Sequence, residues 1–222
     1  MKRIIDLTHP IHEGMITAPA PWHPVVKITQ LGRHCLEGRE SYEISFGSHT
    51  GTHIDTPPHM IANSGPRVDQ IPLETLIGPA KMMKIPKGSY GRITVEDLEA
   101  TGVQVNPGDR IVFNTGWYKT WGTQEFFREY PSFTPEAVEW LTSRGIVYAV
   151  MDVPSPDDPK EKLAPGQPNP MHVAFLSKGV FISEYATNLD DIGADEFEII
   201  ALPLKVKDAD GCPTRIVAVV EE

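Results

Sequence analysis

Between Ser48 and His59 the sequence runs Ser-His-Thr-Gly-Thr-His-Ile-Asp-Thr-Pro-Pro-His, and few local folds can carry it. Pro57 and Pro58 have no N–H to donate and a fixed φ, so a regular helix cannot pass through them. The residue before a proline is pushed toward extended backbone, which sets Thr56. Gly51 allows a tight reversal close to whatever its neighbours hold. The spacing therefore predicts a strand leaving Phe46, a turn at Gly51 and an extended segment from His53. On such a segment residues 53 and 55 face the same side. Three imidazoles and one carboxylate thus fall within eleven residues.

That donor set has a chemistry. His49, His53 and Asp55 offer two neutral imidazoles and a carboxylate, which suit Zn²⁺ or Mn²⁺. Three protein ligands leave positions open for water, as in a catalytic rather than a structural site. A divalent ion brings the pKa of its water to roughly 7, giving hydroxide without a serine or cysteine nucleophile. His59, four residues past Asp55, is placed to take and return a proton. A second cluster lies further on. His172, taken alone, reads as a capping or core histidine before it reads as a ligand. Glu184 closes the apolar run that starts at Gly179, and a carboxylate there calls for a partner or a metal. Spacing alone only suggests that these two belong together.

Composition narrows the classes. The chain has 222 residues and a formal charge of -10, which disfavours a broad nucleic-acid footprint. No apolar run approaches the roughly 20 residues that span a bilayer, and residues 1–9 lack the apolar stretch of a secretory signal. A cytoplasmic protein without membrane or nucleic-acid partners is expected. Cys35 and Cys212 read as free thiols. The 21 prolines are scattered, which points to short strands and fixed loops. Strands are expected at 3–7, 79–85, 109–114, 146–151 and 179–183, with half-buried alternating strands at 25–31 and 41–46. Thr94 and Thr134 mark helix starts, and Pro135 and Gly145 bracket the clearest helix. Segments 197–206 and 214–220, around an Asp210-Gly211 turn, read as a closing hairpin. Together these give an α/β chain with a mixed, largely antiparallel sheet.

The run from His49 to His59 resembles the HxGTHxDxPxH pattern of the cyclase family of metal-dependent hydrolases, which includes bacterial kynurenine formamidase and isatin hydrolase. The similarity extends along nearly the whole chain. Asp6-Leu7-Thr8-His9-Pro10 with Gly14-Met15 resembles the family's opening, and Ile71-Pro72-Leu73 through Gly78-Pro79-Ala80 its next step. Thr115-Gly116-Trp117, Asp152 with Ser155-Pro156-Asp157, Leu202-Pro203-Leu204 and Asp210-Gly211-Cys212-Pro213-Thr214-Arg215 resemble its later segments. Where formamidases of the family carry an aromatic before Pro-Gly in the arm, this chain has Ala18, Pro19 and Ala20.

The resemblance implies a swivelling β/β/α domain over residues 1–222, whose first 24 residues include a strand and a proline-rich arm. It implies that His49, His53 and Asp55 bind a first metal and that Asp55 bridges to a second held by His172 and Glu184. His59 is then the acid/base. The implied cofactor is Zn²⁺ or Mn²⁺, one or two per subunit, in a homodimer or homotetramer. The implied reaction is hydrolysis of an amide or cyclic amide C–N bond in a small molecule. An aryl formamide such as N-formylkynurenine, in tryptophan breakdown, or a lactam such as isatin would serve. Lactone hydrolysis, a cyclase reaction, or a non-catalytic metal-binding homologue are the alternatives. Trp22 is the candidate to stack on an aromatic substrate, packing against a neighbouring subunit being its other reading.

Overall fold

A computed structural model of the chain describes residues 1–221. Its strands are β1 (Lys2–Asp6), β2 (Lys27–Gly32), β3 (Ser41–Ser45), β4 (His53–Asp55), β5 (Ile77–Lys84), β6 (Arg92–Ile93), β7 (Arg110–Asn114), β8 (Ser132–Phe133), β9 (Tyr148–Met151), β10 (Phe181–Glu184), β11 (Glu196–Pro203) and β12 (Gly211–Glu221). The helices are short: α1 (His34–Glu37), α2 (Leu73–Leu76), α3 (Val95–Ala100), α4 (Gln124–Arg128), α5 (Pro135–Ser143) and α6 (Pro170–Leu176). As the sequence predicts, Thr134 caps α5 by accepting from Ala137 N, and Thr94 and Asp97 form a reciprocal capping box on α3. Among the described residues no helix is long and apolar enough to cross a membrane.

The main sheet closes on itself. Its order is β12-β11-β5-β7-β9-β10-β4, and β4 returns to pair with β12, giving a seven-stranded barrel with β1 added outside on β12. Closure removes the exposed edges of an open sheet. The barrel pairs β12/β11, β11/β5, β10/β4 and β4/β12 are antiparallel. The three consecutive pairs β5/β7, β7/β9 and β9/β10 are parallel. This corrects the expectation of a largely antiparallel sheet. Parallel neighbours need long crossovers, and here α3, α5 and α6 supply them. Parallel strands covered on both faces carry unbroken apolar runs, and Tyr148–Met151 is buried at every position.

Those two faces define two cores. Ile111, Phe113, Ala149 and Met151 pack with Phe133, Val138, Leu141 and Phe175 under the helices. Val112, Tyr148 and Val150 point the other way, to Ile54, Met82, Ile199 and Ile216. The hairpin of β2 and β3 stands apart from the barrel. Half-buried strands are expected there, yet every residue of β3 is exposed, because each strand finds only the other as a partner. What matters for the site is the seam: β4 is wedged between β10 and β12, with Glu184 opposite His53 and Gly211 opposite Asp55.

Candidate metal centre

The local fold follows the sequence expectation. Gly51 takes φ +61, in the left-handed region, and the chain turns into β4. Thr52 Oγ1 donates to Tyr185 O at 2.7 Å and ties that turn to the end of β10. Thr56 is extended, and Pro57 and Pro58 lead a single 3-10 turn that ends at His59. His53 and Asp55 share a side of β4, with His53 Nε2 3.2 Å from Asp55 Oδ1 and 3.5 Å from Glu184 Oε2. His53 Nδ1 donates to Gly51 O at 2.8 Å, which leaves Nε2 as the ligand nitrogen.

His172 comes from the first turn of α6. Its Nε2 lies 3.1 Å from Glu184 Oε1 and 3.4 Å from Asp55 Oδ2. His49 Nδ1 lies 2.7 Å from Asp55 Oδ1. The structure thus brings His49, His53, Asp55, His172 and Glu184 together, although 135 residues separate the first from the last (184 minus 49). Asp55 belongs to two groups of convergent ligand atoms, one with His53 and Glu184, the other with His49 and His59.

The donors fit a cation. Asp55 and Glu184 are 1% and 4% exposed, and Asp55 Oδ2 and Glu184 Oε1 have no hydrogen-bond partner of proper geometry. Buried carboxylate oxygens normally have one, or coordinate a metal. Burial pushes Asp55 up, but His53, His49 and His59 hold it well below the usual range. Burial and the Asp55 charge push Glu184 up. On His49 burial opposes the charge, but Asp55 and Asp210 outweigh it and raise the imidazole to about 10. Metal binding to such a set displaces the protons its imidazoles and carboxylates would otherwise carry.

His49, His53, His172 and Glu184 line a cavity of about 650 Å³, the size of a small-molecule site, with Asp55 buried behind them. His59, Tyr130 and Asn169 also line it. Trp22 stands at its rim, 75% exposed. Its walls mix imidazoles with Met60, Phe127 and Pro154.

Residues 5–158 match the family described as "Putative cyclase". The chain belongs to the cyclase family. It is 30% identical over 223 residues to kynurenine formamidase of Bacillus cereus (strain ATCC 14579), covering 96% of this chain and 95% of that protein. In structure it is similar to isatin hydrolase A from Labrenzia aggregata, solved with benzyl benzoate. The TM-score is 0.88 at 27% identity, covering 100% of this chain and 94% of that one. A predicted metal-dependent hydrolase from Bacillus stearothermophilus superposes with TM-score 0.79 at 27% identity, covering 99% and 98%.

Around the cyclase-family motif lie residues that sequence reasoning did not place at the site. Asp157, noted beside Ser155, faces α6. Its Oδ1 accepts from Met171 N at 2.6 Å, and its Oδ2 accepts from His172 N at 3.3 Å and His172 Nδ1 at 2.5 Å. One carboxylate caps the helix and fixes the ring of His172. His23 enters the cavity wall from the arm, its ring centroid 6.4 Å from His49. Burial lowers it to about 4, with His49, His53 and His59 adding to the effect, so it is neutral. His9 stacks on Trp121 at 4.0 Å, and its backbone N donates to Thr52 Oγ1 at 3.0 Å. Asp210, read as a turn residue, reaches His49 and His59 at 3.0 and 3.2 Å.

Gly211 explains how His49 fits. A Cβ there would meet His49 Cε1 at 2.5 Å and Ile54 O at 2.8 Å. Gly211→Ala is expected to lower unfolding stability by about 1–3 kcal/mol, the scale of overpacking, and to weaken metal retention by displacing His49. Urea unfolding and metal analysis of the purified variant check both.

Proposed function

We propose that this chain hydrolyses the C–N bond of an amide or cyclic amide, with an aryl formamide such as N-formylkynurenine or a lactam such as isatin as substrate. The observation that carries the reading is the pair of orphaned, buried carboxylate oxygens ringed by three imidazoles at a cavity of substrate size. His49, His53 and Asp55 would hold one Zn²⁺ or Mn²⁺, and Asp55, His172 and Glu184 a second, on a barrel that we read as the swivelling β/β/α type. A divalent ion supplies Lewis acidity toward a carbonyl oxygen and lowers the pKa of water to roughly 7.

The rest belongs to the side chains. His59 lines the cavity within reach of the ligand group and accepts a proton from the attacking water. It returns that proton to the departing nitrogen as the C–N bond breaks, giving a separate amine and carboxylic acid from a formamide, or one ring-opened amino acid from a lactam. Asp157 keeps His172 in one tautomer, and Gly51 O does the same for His53. Met60, Phe127 and Tyr130 offer flat apolar walls, and Trp22 at the rim can stack on an aromatic ring. The relatives named for kynurenine formamidase and isatin hydrolase activity support this substrate class. The setting we propose is cytoplasmic, as a homodimer or homotetramer.

The test is hydrolysis of N-formylkynurenine and of isatin by Zn²⁺- or Mn²⁺-loaded protein beside chelator-stripped protein. Turnover of at least one, lost on stripping and restored by metal, is expected. Metal-loaded protein inert toward both and toward simple formanilides would refute the reading. Asp157→Asn tests the support of His172. A drop in metal affinity of about 10–100-fold is expected, measured by competition with a chromogenic chelator.

A further inference from the structure

The structure assigns Asp210 a role in the same reaction: we infer that it is the positioning residue that orients His59 and selects the tautomer in which His59 works. The inference rests on the amide-hydrolase reading above. Its geometry is independent of that reading.

Asp210 precedes β12, far in sequence from the motif, and is clamped onto it. Its backbone carbonyl accepts from Thr56 N at 3.0 Å and Thr56 Oγ1 at 2.7 Å, and Thr56 is fully buried. Thr56 is the extended residue that opens the Pro57–His59 turn, so Asp210 is tied to the segment that presents His59. The next residue, Gly211, pairs with Asp55 in the β4/β12 ladder. A freely hinged surface turn would have neither restraint.

From that fixed point one carboxylate oxygen serves two rings. Asp210 Oδ2 accepts from His59 Nδ1 at 3.2 Å and from His49 Nε2 at 3.0 Å. The two rings lie face to face, with centroids 3.8 Å apart and planes tilted by 33°. An anion at their shared edge offsets the repulsion between two N–H dipoles held that close. With Nδ1–H committed to Asp210, neutral His59 keeps its lone pair on Nε2. That is the nitrogen left to exchange a proton within the cavity. A buried or half-buried carboxylate fixing the tautomer of a general base is a known way to organise acid–base catalysis. Asp210 needs no contact with substrate to do this.

The experiment compares wild type with Asp210→Asn on two probes, formanilide and p-nitrophenyl acetate. The anilide nitrogen needs a proton to leave, and p-nitrophenolate does not. The expected result is a fall in kcat of about 10²-fold or more on formanilide, the scale of general acid–base catalysis. KM and metal content should stay within about twofold, and the loss on the ester should be under tenfold. Nitrogen-15 NMR of the imidazoles in chelator-stripped protein gives a readout that needs no turnover. His59 should be the Nδ1–H tautomer in wild type and shift toward Nε2–H in Asp210→Asn.

Equal losses on both probes with depleted metal would overturn the inference and reduce Asp210 to a support for His49. An unchanged His59 tautomer with unchanged kcat would overturn it as well. Metal-loaded wild-type protein inert on both probes and also on N-formylkynurenine and isatin would instead sink the amide-hydrolase reading, and the tautomer measurement would still decide whether Asp210 sets His59.

Discussion

Asp55→Asn is expected to yield a folded protein that neither retains a divalent metal nor turns over an amide. Asp55 Oδ1 faces His49 at 2.7 Å and His53 at 3.2 Å, and Oδ2 faces His172 at 3.4 Å. Asparagine keeps the volume but presents an NH₂ group where a lone pair is needed, and it removes the only charge shared by both ligand groups. The barrel should survive, because the ladders β4/β10 and β4/β12 are made by backbone. A loss in kcat/KM of at least about 10³, or ~4 kcal/mol at ~1.4 kcal/mol per tenfold, is expected. Metal analysis of the purified variant, together with circular dichroism, checks it. A variant that keeps its full metal content would remove Asp55 from the centre of the site.

His59→Ala is expected to separate proton transfer from metal binding. His59 ends a 3-10 turn fixed by two prolines, and its ring is bonded to Asp210 rather than to another ligand. Its loss should lower kcat by about 10²–10⁴ while metal content stays that of wild type. The discriminating outcome is metal loss. His59 also falls in one ligand group with His49 and Asp55, so depletion of one equivalent would make it a ligand and require another acid/base. Steady-state kinetics on formanilide, with metal analysis of the same preparation, decides between the two.

How much of this was legible in the sequence depends on whether the cause was local. The Gly51 turn, the shared face of His53 and Asp55, and the caps at Thr94 and Thr134 are consequences of neighbouring residues, and they read correctly. Barrel closure was not legible, because it depends on β4 pairing with two strands more than 125 residues away, β10 and β12. The signal for the parallel run lies in the unbroken apolar strands at 111–113 and 148–151, whereas the final hairpin points to antiparallel pairing. At the site, the motif pointed to one half of the centre. His172 and Glu184 could be joined to it only through the family resemblance, since an α6 turn and a β10 end have no common spacing rule. Asp157 and Asp210 were hidden for a related reason. A carboxylate that orients an imidazole from outside leaves no mark on the ligand pattern, and an Asp-Gly pair near a hairpin reads as a turn.

A metal-dependent hydrolase couples turnover to metal occupancy. The direct measurement adds Zn²⁺ or Mn²⁺ back in steps to chelator-stripped protein, following bound metal by titration calorimetry and amide hydrolysis in the same samples. Tight binding that saturates at one or two equivalents is expected, with the rate rising from background in step with occupancy. Binding that saturates without any rate, or a rate that stripping and refilling leave unchanged, would contradict it.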